Sequence, residues 1–277
     1  MTAVAGDDER EHALAVVGAL LALDRDAVAT GTSAARILGI PLLGRPHANL
    51  ALATEEAAAC GRREDYVLRR ATLPPRHRTV RHGVAITSAA RTVVDLARER
   101  GFVHGVVAAD AALHRGLVSP SELDRMLRDC RGWPGLDRAR RAVAFADAAC
   151  ESVLESVSRI AIHQQELPAP RTQVVLGDAY GPIGRVDFLW EHAGVIGEAD
   201  GLTKYLAPAR AGEASTPGRT TRDIVRAEKR REEQLADLGY EVVRWGWEDA
   251  TNPPRLAHRL RAAFARGLER RRGRVAS

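Results

Sequence analysis

Apolar residues recur at helical spacing through most of the first half of the chain. This pattern predicts helices over residues 12–23, 34–38, 89–100, 103–115, 119–130 and 136–148. The clearest start signal is Ser119-Pro120-Ser121-Glu122, in which the serine caps the helix and the glutamate bonds back to the cap. Three apolar runs bounded by turn residues predict strands at residues 50–53, 66–68 and 78–81.

The second half alternates helices with short apolar runs. The predicted order is a helix over 151–165, a strand over 173–176, two hairpin strands, a charged helix over 222–238, a strand over 240–245 and a last helix from Pro253. We therefore expect an α/β protein of two domains. Residues 1–149 form a mainly helical domain, and residues 150–277 form an α/β domain with a small mixed sheet flanked by helices.

Composition narrows the class of protein. Hydrophobic residues make up 45% of the 277 residues, which is enough for sizeable cores. Three cysteines lie far apart and form no Cys-x-x-Cys pair, so we expect a reducing, cytoplasmic compartment without disulfides or a zinc site. The longest early apolar run, residues 13–23, is too short to span a bilayer, so no membrane partner is expected.

The segment from Arg185 to Lys204 concentrates acidic residues. It contains four carboxylates, at positions 187, 191, 198 and 200. Two apolar runs flank Glu191-His192-Ala193-Gly194, which predicts a hairpin with a four-residue loop. A symmetric loop places Asp187 opposite Glu198, with Cβ atoms roughly 4.5–5.5 Å apart. Glu198 and Asp200 share a face because side chains alternate along a strand.

Three converging carboxylates repel one another. A divalent cation removes that repulsion, and hard oxygen ligands suit Mg²⁺ or Mn²⁺. Asp187, Glu198 and Asp200 are therefore candidate metal ligands. The alternative is a solvent-facing hairpin that carries scattered charges.

The second half resembles the restriction-endonuclease-like, or PD-(D/E)XK, nuclease superfamily, over about residues 150–265. It is most similar to the branch of very-short-patch-repair-type endonucleases and related domains of unknown function. The residues that carry the likeness are Glu155, Asp187, Glu198-Ala199-Asp200-Gly201, Lys204, Glu228-Lys229-Arg230-Arg231-Glu232 and Gly239-Tyr240-Glu241-Val242-Val243-Arg244.

This resemblance implies a magnesium-dependent DNA endonuclease. Asp187 and Glu198 would hold the ion, which would activate the attacking water, and Glu155 would complete the metal shell. The family places a lysine two residues after the second acid, where this chain has Asp200, so Lys204 is the nearest substitute. The catalytic candidates are Glu155, Asp187, Glu198, Asp200 and Lys204. The plain alternative for Glu155 is a surface pair with Arg159.

Basic residues beside these motifs are candidates for contacts with nucleic acid. They are Arg159, Arg185, Lys229 and Arg244. The expected partner is DNA, either duplex or nicked or mismatched, although RNA stays open. The last helix, with eight arginines and one glutamate from Pro254 onward, also suits phosphate contacts, or is simply solvated. The helix pair over 103–130 occurs in DNA-reading units but more often serves packing.

The first half is similar to the region associated with type IV abortive-infection antitoxins in actinobacterial proteins. The likeness rests on Ser33-Ala34-Ala35-Arg36-Ile37-Leu38-Gly39, Ala109-Asp110-Ala111-Ala112-Leu113 and the segment Thr87-Ser88-Ala89-Ala90-Arg91-Thr92-Val93-Val94-Asp95-Leu96. Such relatives usually begin with a winged helix, for which residues before 12 leave no room. The second hypothesis is accordingly a non-catalytic DNA-binding antitoxin or regulator, with a toxin or defence-system partner.

Overall fold

The computed structural model describes residues 4–23, 26–44, 49–200 and 221–275. The chain divides into two compact units, Met1–Val153 and Leu154–Ser277. The domain boundary expected from the sequence, between residues 149 and 150, falls a few residues before this division.

The first unit is built on a mixed sheet. Its strands are β1 (Ala27–Ala29), β2 (Leu50–Thr54), β3 (Gly61–Arg62), β4 (Tyr66–Arg70), β5 (Arg78–Arg81) and β6 (Val84–Thr87). Within the described residues, the order across the sheet is β3-β4-β2-β1-β6-β5. The pairs β2–β4 and β1–β6 are parallel, and the other neighbours are antiparallel. The strands predicted at 50–53, 66–68 and 78–81 are confirmed as β2, β4 and β5.

Helices pack on this sheet and on one another. They are α1 (Val4–Leu23), α2 (Gly31–Leu38), α3 (Ala89–Arg100), α4 (Phe102–His114), α5 (Pro120–Asp129) and α6 (Leu136–Phe145). Val16 of α1 and Ala34 of α2 pack with Leu52, Leu68 and Ile86 of the sheet in one buried core. Helix α3 packs closely against α4 and α6, so the helices that follow the sheet form a layer of their own.

Local signals in the sequence set the bounds of these helices. The Ser119 side chain accepts a hydrogen bond from the Glu122 backbone, and the Glu122 side chain accepts one from the Ser119 backbone, which confirms the predicted capping box. Gly101 ends α3 and precedes α4 with φ of 96°, a conformation that side chains rarely adopt. The two helices therefore turn sharply at a single glycine.

The second unit contains a smaller sheet with helices around it. Its elements are α7 (Val153–Gln164), β7 (Arg171–Asp178), β8 (Gly181–Trp190), β9 (Val195–Ala199), α8 (Thr221–Asp237), β10 (Glu241–Trp245), α9 (Trp247–Ala250) and α10 (Pro253–Val275). Among the described residues, four strands lie in the order β10-β9-β8-β7. Only the β9–β10 pair of this sheet is parallel.

The predicted hairpin is present with the predicted register. Phe188 pairs with Gly197, Leu189 with Ile196 and Trp190 with Val195, so Asp187 and Glu198 are the next opposed positions. Residues Glu191–Ala193 form a single 3-10 turn. Gly194 then closes the loop in the left-handed conformation, with φ of 63°.

Aromatic packing holds the centre of the second unit. The rings of Phe188 and Trp245 stack at 5.4 Å, and Trp190 meets Phe264 of α10 edge-on at 5.3 Å. Gly197 lies beneath the Trp245 indole, which leaves no room for a side chain there. The indole nitrogen of Trp245 donates to Ser158 of α7 at 2.8 Å and so ties the helix to the sheet.

The expected α/β class is confirmed in both units. The first unit, expected to be mainly helical, combines its helices with the larger of the two sheets. None of the helices within the described ranges has the length and the apolar composition that crossing a membrane requires.

Two glycine-to-alanine substitutions in the first unit should have opposite effects on stability. A Cβ at Gly105 would lie 2.5 Å from the Cβ of Ala97 and 2.8 Å from that of Ala142, so Gly105→Ala should destabilise the unit by about 1–3 kcal/mol. A Cβ at Gly18 meets nothing within 4 Å on α1, so Gly18→Ala should be neutral or stabilise by up to about 1 kcal/mol. Urea unfolding of both variants measures this, and equal midpoints would contradict the packing of α3, α4 and α6.

Candidate functional site

The acidic residues singled out in the second unit do come together. Glu198 is 4% exposed on β9, and Asp187 is half-buried on the neighbouring strand β8. One carboxylate oxygen of Asp187 accepts the backbone N–H of Ala199 at 2.8 Å. Glu155, 4% exposed, approaches from α7. The hairpin spacing predicts that Asp187 and Glu198 lie together, whereas Glu155 was expected beside them only from the family resemblance.

Gln173 joins two of these acids, a role that the sequence did not indicate. Its amide nitrogen donates to Glu155 at 2.8 Å and to Asp187 at 3.2 Å. The backbone of Gln173 has φ of 51°, in the left-handed region, and the β7–β8 pairing passes from Thr172 directly to Val174. Such a conformation costs on the order of 1 kcal/mol. The strained backbone aims the amide between the carboxylates.

Arginines neutralise the remaining acids. Arg231 of α8 donates to Glu198 at 2.7 Å, and Arg244 of β10 donates to Asp200 at 2.9 Å. Burial and the nearby Asp187 charge together raise the pKa of Glu198 to about 7, although Arg231 acts in the opposite direction. The four acids therefore receive hydrogen bonds from donors within the chain.

These contacts bear on the predicted metal site. Within the described residues, no group of three or more His, Cys, Asp or Glu side chains lies close enough to hold a metal ion. The acids of the cluster accept hydrogen bonds from an amide, a backbone N–H and guanidinium groups instead. Lys204, the predicted substitute lysine, lies outside the described residues. The Mg²⁺ or Mn²⁺ site stays a prediction.

The four basic candidates lie on α7, β8, α8 and β10 of the second unit, and Arg244 contacts an acid of the cluster. Arg159 is half-buried on α7, Arg185 is exposed on β8, and Arg244 is half-buried in its pair with Asp200. Lys229 is largely exposed on α8, with its ammonium 4.0 Å from Glu233. Their contacts with nucleic acid stay predictions.

A second cluster, in the first unit, was not expected from the sequence. Arg91 and Asp95 of α3 are each 3% exposed and form an ion pair of 2.7 Å between Nε and Oδ2. The other oxygen of Asp95 accepts from Arg98 at 2.7 Å. Arg91 also donates to the Thr72 carbonyl at 3.0 Å. The sequence did contain a signal for this ion pair, because Arg91 and Asp95 lie four residues apart within an apolar helical run.

An indole covers this ion pair. The guanidinium carbons of Arg91 and Arg98 lie 4.4 and 4.9 Å from the ring centroid of Trp133, within the range of cation–π attraction. Trp133 belongs to the turn between α5 and α6, and Arg98 also donates to the Pro134 carbonyl at 2.9 Å. The turn is thereby fixed against α3.

His77 completes the cluster on its buried side. Its Nδ1 lies 3.1 Å from Nη1 of Arg91, and its Nε2 lies 3.2 Å from Oδ2 of Asp129. Because an arginine only donates, Nδ1 must accept, which places the proton of the neutral ring on Nε2. Burial lowers the pKa of His77, and the Arg91 charge lowers it further, although hydrogen bonding to Asp129 acts in the opposite direction.

Next to this cluster lies a cavity of about 990 Å³, which we call the arginine cleft. It is lined by β2, β4, the segment after β4, α3 and the start of α6. Among the described residues, seven arginines and two acids line it; the arginines are Arg62, Arg69, Arg70, Arg91, Arg98, Arg100 and Arg138, and the acids are Asp95 and Glu99. The formal excess is five positive charges. Such a recess is suited to binding an anionic group.

Residues 21–144 match the family model of the AbiEi antitoxin C-terminal domain. The chain is also 30% identical over 190 residues to two uncharacterized proteins of Mycobacterium tuberculosis, MT2308 of strain CDC 1551 / Oshkosh and Rv2248 of strain ATCC 25618 / H37Rv. The alignment covers 69% of this chain, and the chain spans 64% of the length of each relative. No solved structure matches the chain.

These comparisons confirm the antitoxin-associated likeness of the first half over residues 21–144. They give no support to the PD-(D/E)XK resemblance of the second half. The hypothesis of a metal-dependent endonuclease, with the hydrolase chemistry it implied, was wrong: the matched family is an antitoxin family, and the match favours the non-catalytic alternative. The error arose because the spacing of a short acidic motif predicts only that the acids lie close to one another. It does not reveal the groups that donate hydrogen bonds to them, which come from distant segments of the chain.

The pKa of His77 generates a pH prediction. The folded state holds the neutral ring, so the unfolded chain takes up a proton first as the pH falls through the ordinary value of 6.5. Stability should therefore be fully present above this value and decline on acidification towards pH 5. His77→Gln, whose amide can accept from Arg91 and donate to Asp129, should flatten this decline.

Urea midpoints between pH 7.5 and 5 measure the effect, and NMR titration of the ring should give a His77 pKa below 6.5. The control is exposed His82, whose φ of 50° asparagine tolerates; His82→Asn should keep the wild-type pH profile. An unchanged profile in His77→Gln would rule out the assigned role.

Proposed function

We propose that this chain is a non-catalytic, DNA-binding regulator of the antitoxin type in an abortive-infection-like defence system. The observation that carries the proposal is the match of residues 21–144 to the AbiEi antitoxin C-terminal domain. The proposed partners are DNA and a toxin or other component of such a system.

The charge of the matched region supports DNA as a partner. The arginine cleft lies wholly within residues 21–144 and concentrates an excess of five positive charges, which equals the formal net charge of the entire chain. Phosphate contacts by arginine and lysine supply most of the non-specific affinity for nucleic acid. A protein with only a mild overall excess of positive charge thus presents a strongly basic surface in one place.

The acid cluster of the second unit supports a non-catalytic role. Glu198 is paired with Arg231 and Asp200 with Arg244, while Gln173 bridges Glu155 and Asp187. Each of these contacts satisfies a carboxylate that nuclease chemistry would need for a metal ion or a water. We assign the cluster a structural function, which is to join α7, α8 and the strands of the sheet.

The proposal predicts DNA binding that depends on salt but not on metal. The purified full chain should retain a labelled DNA duplex in a mobility-shift assay, and its affinity should fall steeply between about 50 and 200 mM salt. Binding should need no Mg²⁺ and should persist in EDTA, and Mg²⁺ should leave the length of the DNA unchanged and affect the affinity only as added salt does. Glu198→Ala should bind like the wild type once its folding is verified by circular dichroism.

Two results would contradict the proposal. One is cleavage of plasmid DNA that requires Mg²⁺ and disappears in Glu198→Ala. The other is absence of duplex binding at low salt by a chain that is folded.

A further inference from the structure

We propose that the arginine cleft of the first unit is a binding site for single-stranded nucleic acid. The inference rests on the proposed function only in that both require the chain to bind nucleic acid. It keeps the basic cleft that supports nucleic-acid binding and assigns it a substrate class other than the duplex DNA considered above.

The first step concerns which charges in the cleft are available. Asp95 is shared by Arg91 and Arg98, and Glu99 pairs with Arg69 at 2.9 Å. Both acids that line the cleft are therefore engaged. In the part of the chain that the structure describes, four lining arginines form no ion pair: Arg62, Arg70, Arg100 and Arg138. Three of them, at positions 62, 70 and 138, are exposed at the rim.

The second step concerns the apolar lining. Ala51, Ala53 and Val67 line the cleft from β2 and β4, and Trp133 lines it from the turn before α6. The indole carries the guanidinium groups of Arg91 and Arg98 over its ring. Nucleobases stack on aromatic rings and on guanidinium planes. A recess with apolar and planar surfaces inside and cations at its rim matches a strand whose bases face inward and whose phosphates face outward.

The third step distinguishes a strand from a duplex. Duplex DNA is read by a helix or a β-ribbon that projects into a groove about 12 Å wide. The arginine cleft is concave, and its cations converge on a recess of about 990 Å³ from β3, β4, α3 and α6. A positively charged groove that follows the backbone, with ring surfaces for bases, is the usual form of a single-strand site.

The test is fluorescence anisotropy with the full chain and labelled oligo-dT and oligo-U of about 15 nucleotides, beside a duplex of equal length. The wild type should bind the single strands at least about tenfold more tightly than the duplex. Arg70→Glu/Arg138→Glu should weaken single-strand binding by about tenfold or more. Its plot of log affinity against log salt should become shallower by about 1.4, which corresponds to two lost phosphate contacts.

The matched control is Arg128→Glu/Arg141→Glu. Both control residues are exposed in the same unit, Arg141 on the same helix as Arg138, and neither lines the cleft. The control changes the net charge by the same amount, so it should lose little affinity for single strands. Arg62→Glu/Arg138→Glu serves as a second cleft variant, and circular dichroism verifies that each variant is folded.

Three outcomes would overturn the inference. They are equal losses in the cleft and control variants, tighter binding of the duplex than of the single strands, and full competition by ATP alone at the affinity of the oligonucleotides. The first two leave the DNA-binding part of the proposed function intact. Conversely, single-strand binding without any duplex binding would remove duplex DNA from the proposed function and leave the cleft assignment standing.

Discussion

The ion pair between Arg91 and Asp95 is the interaction on which the first unit depends. Taking two charges out of water costs several kcal/mol per ion, which only well-formed partners offset. Here Arg91 bonds Asp95, Thr72 and His77, and Asp95 also bonds Arg98. Each partner lies on a different stretch of the unit or a different turn of α3. The requirement to satisfy two buried charges therefore fixes where the segment after β4 and the turn before α6 must lie.

The second unit solves a related problem by other means. Several carboxylates gather where β8, β9 and α7 meet, and their repulsion motivated the idea of a cation. The chain supplies donors instead: the amide of Gln173, the backbone N–H of Ala199, and the guanidinium groups of Arg231 and Arg244. The left-handed backbone of Gln173 is the cost of placing that amide. In the second unit, then, burial of charge is offset by arginine and amide groups from elements distant in sequence, whereas in the first unit the buried Asp95 is paired with two arginines of its own helix.

Features that depend on residues close together in the chain could be predicted from the sequence, whereas contacts between distant segments could not. Capping at Ser119 and the symmetric hairpin that opposes Asp187 to Glu198 involve neighbours in the chain, and both were predicted correctly. The short strand β1 was missed because three apolar residues carry no periodicity. The pairing of Glu198 with Arg231, 33 residues away, was also missed, because spacing brings acids together but does not choose their donors. The endonuclease hypothesis failed at this step.

The same pairing that stabilises the first unit also determines the charge of its cleft. Asp95 gives its single negative charge to two arginines, so the buried cluster keeps a formal positive charge. Glu99 is engaged by Arg69, and both lining acids are thereby spent on positioning. The arginines at the rim form no ion pair within the described structure, and their guanidinium groups are exposed to solvent. The two lining acids are engaged in ion pairs that hold the fold together, so the electrostatic field in the cleft is positive. This field favours the binding of a ligand that carries phosphate groups.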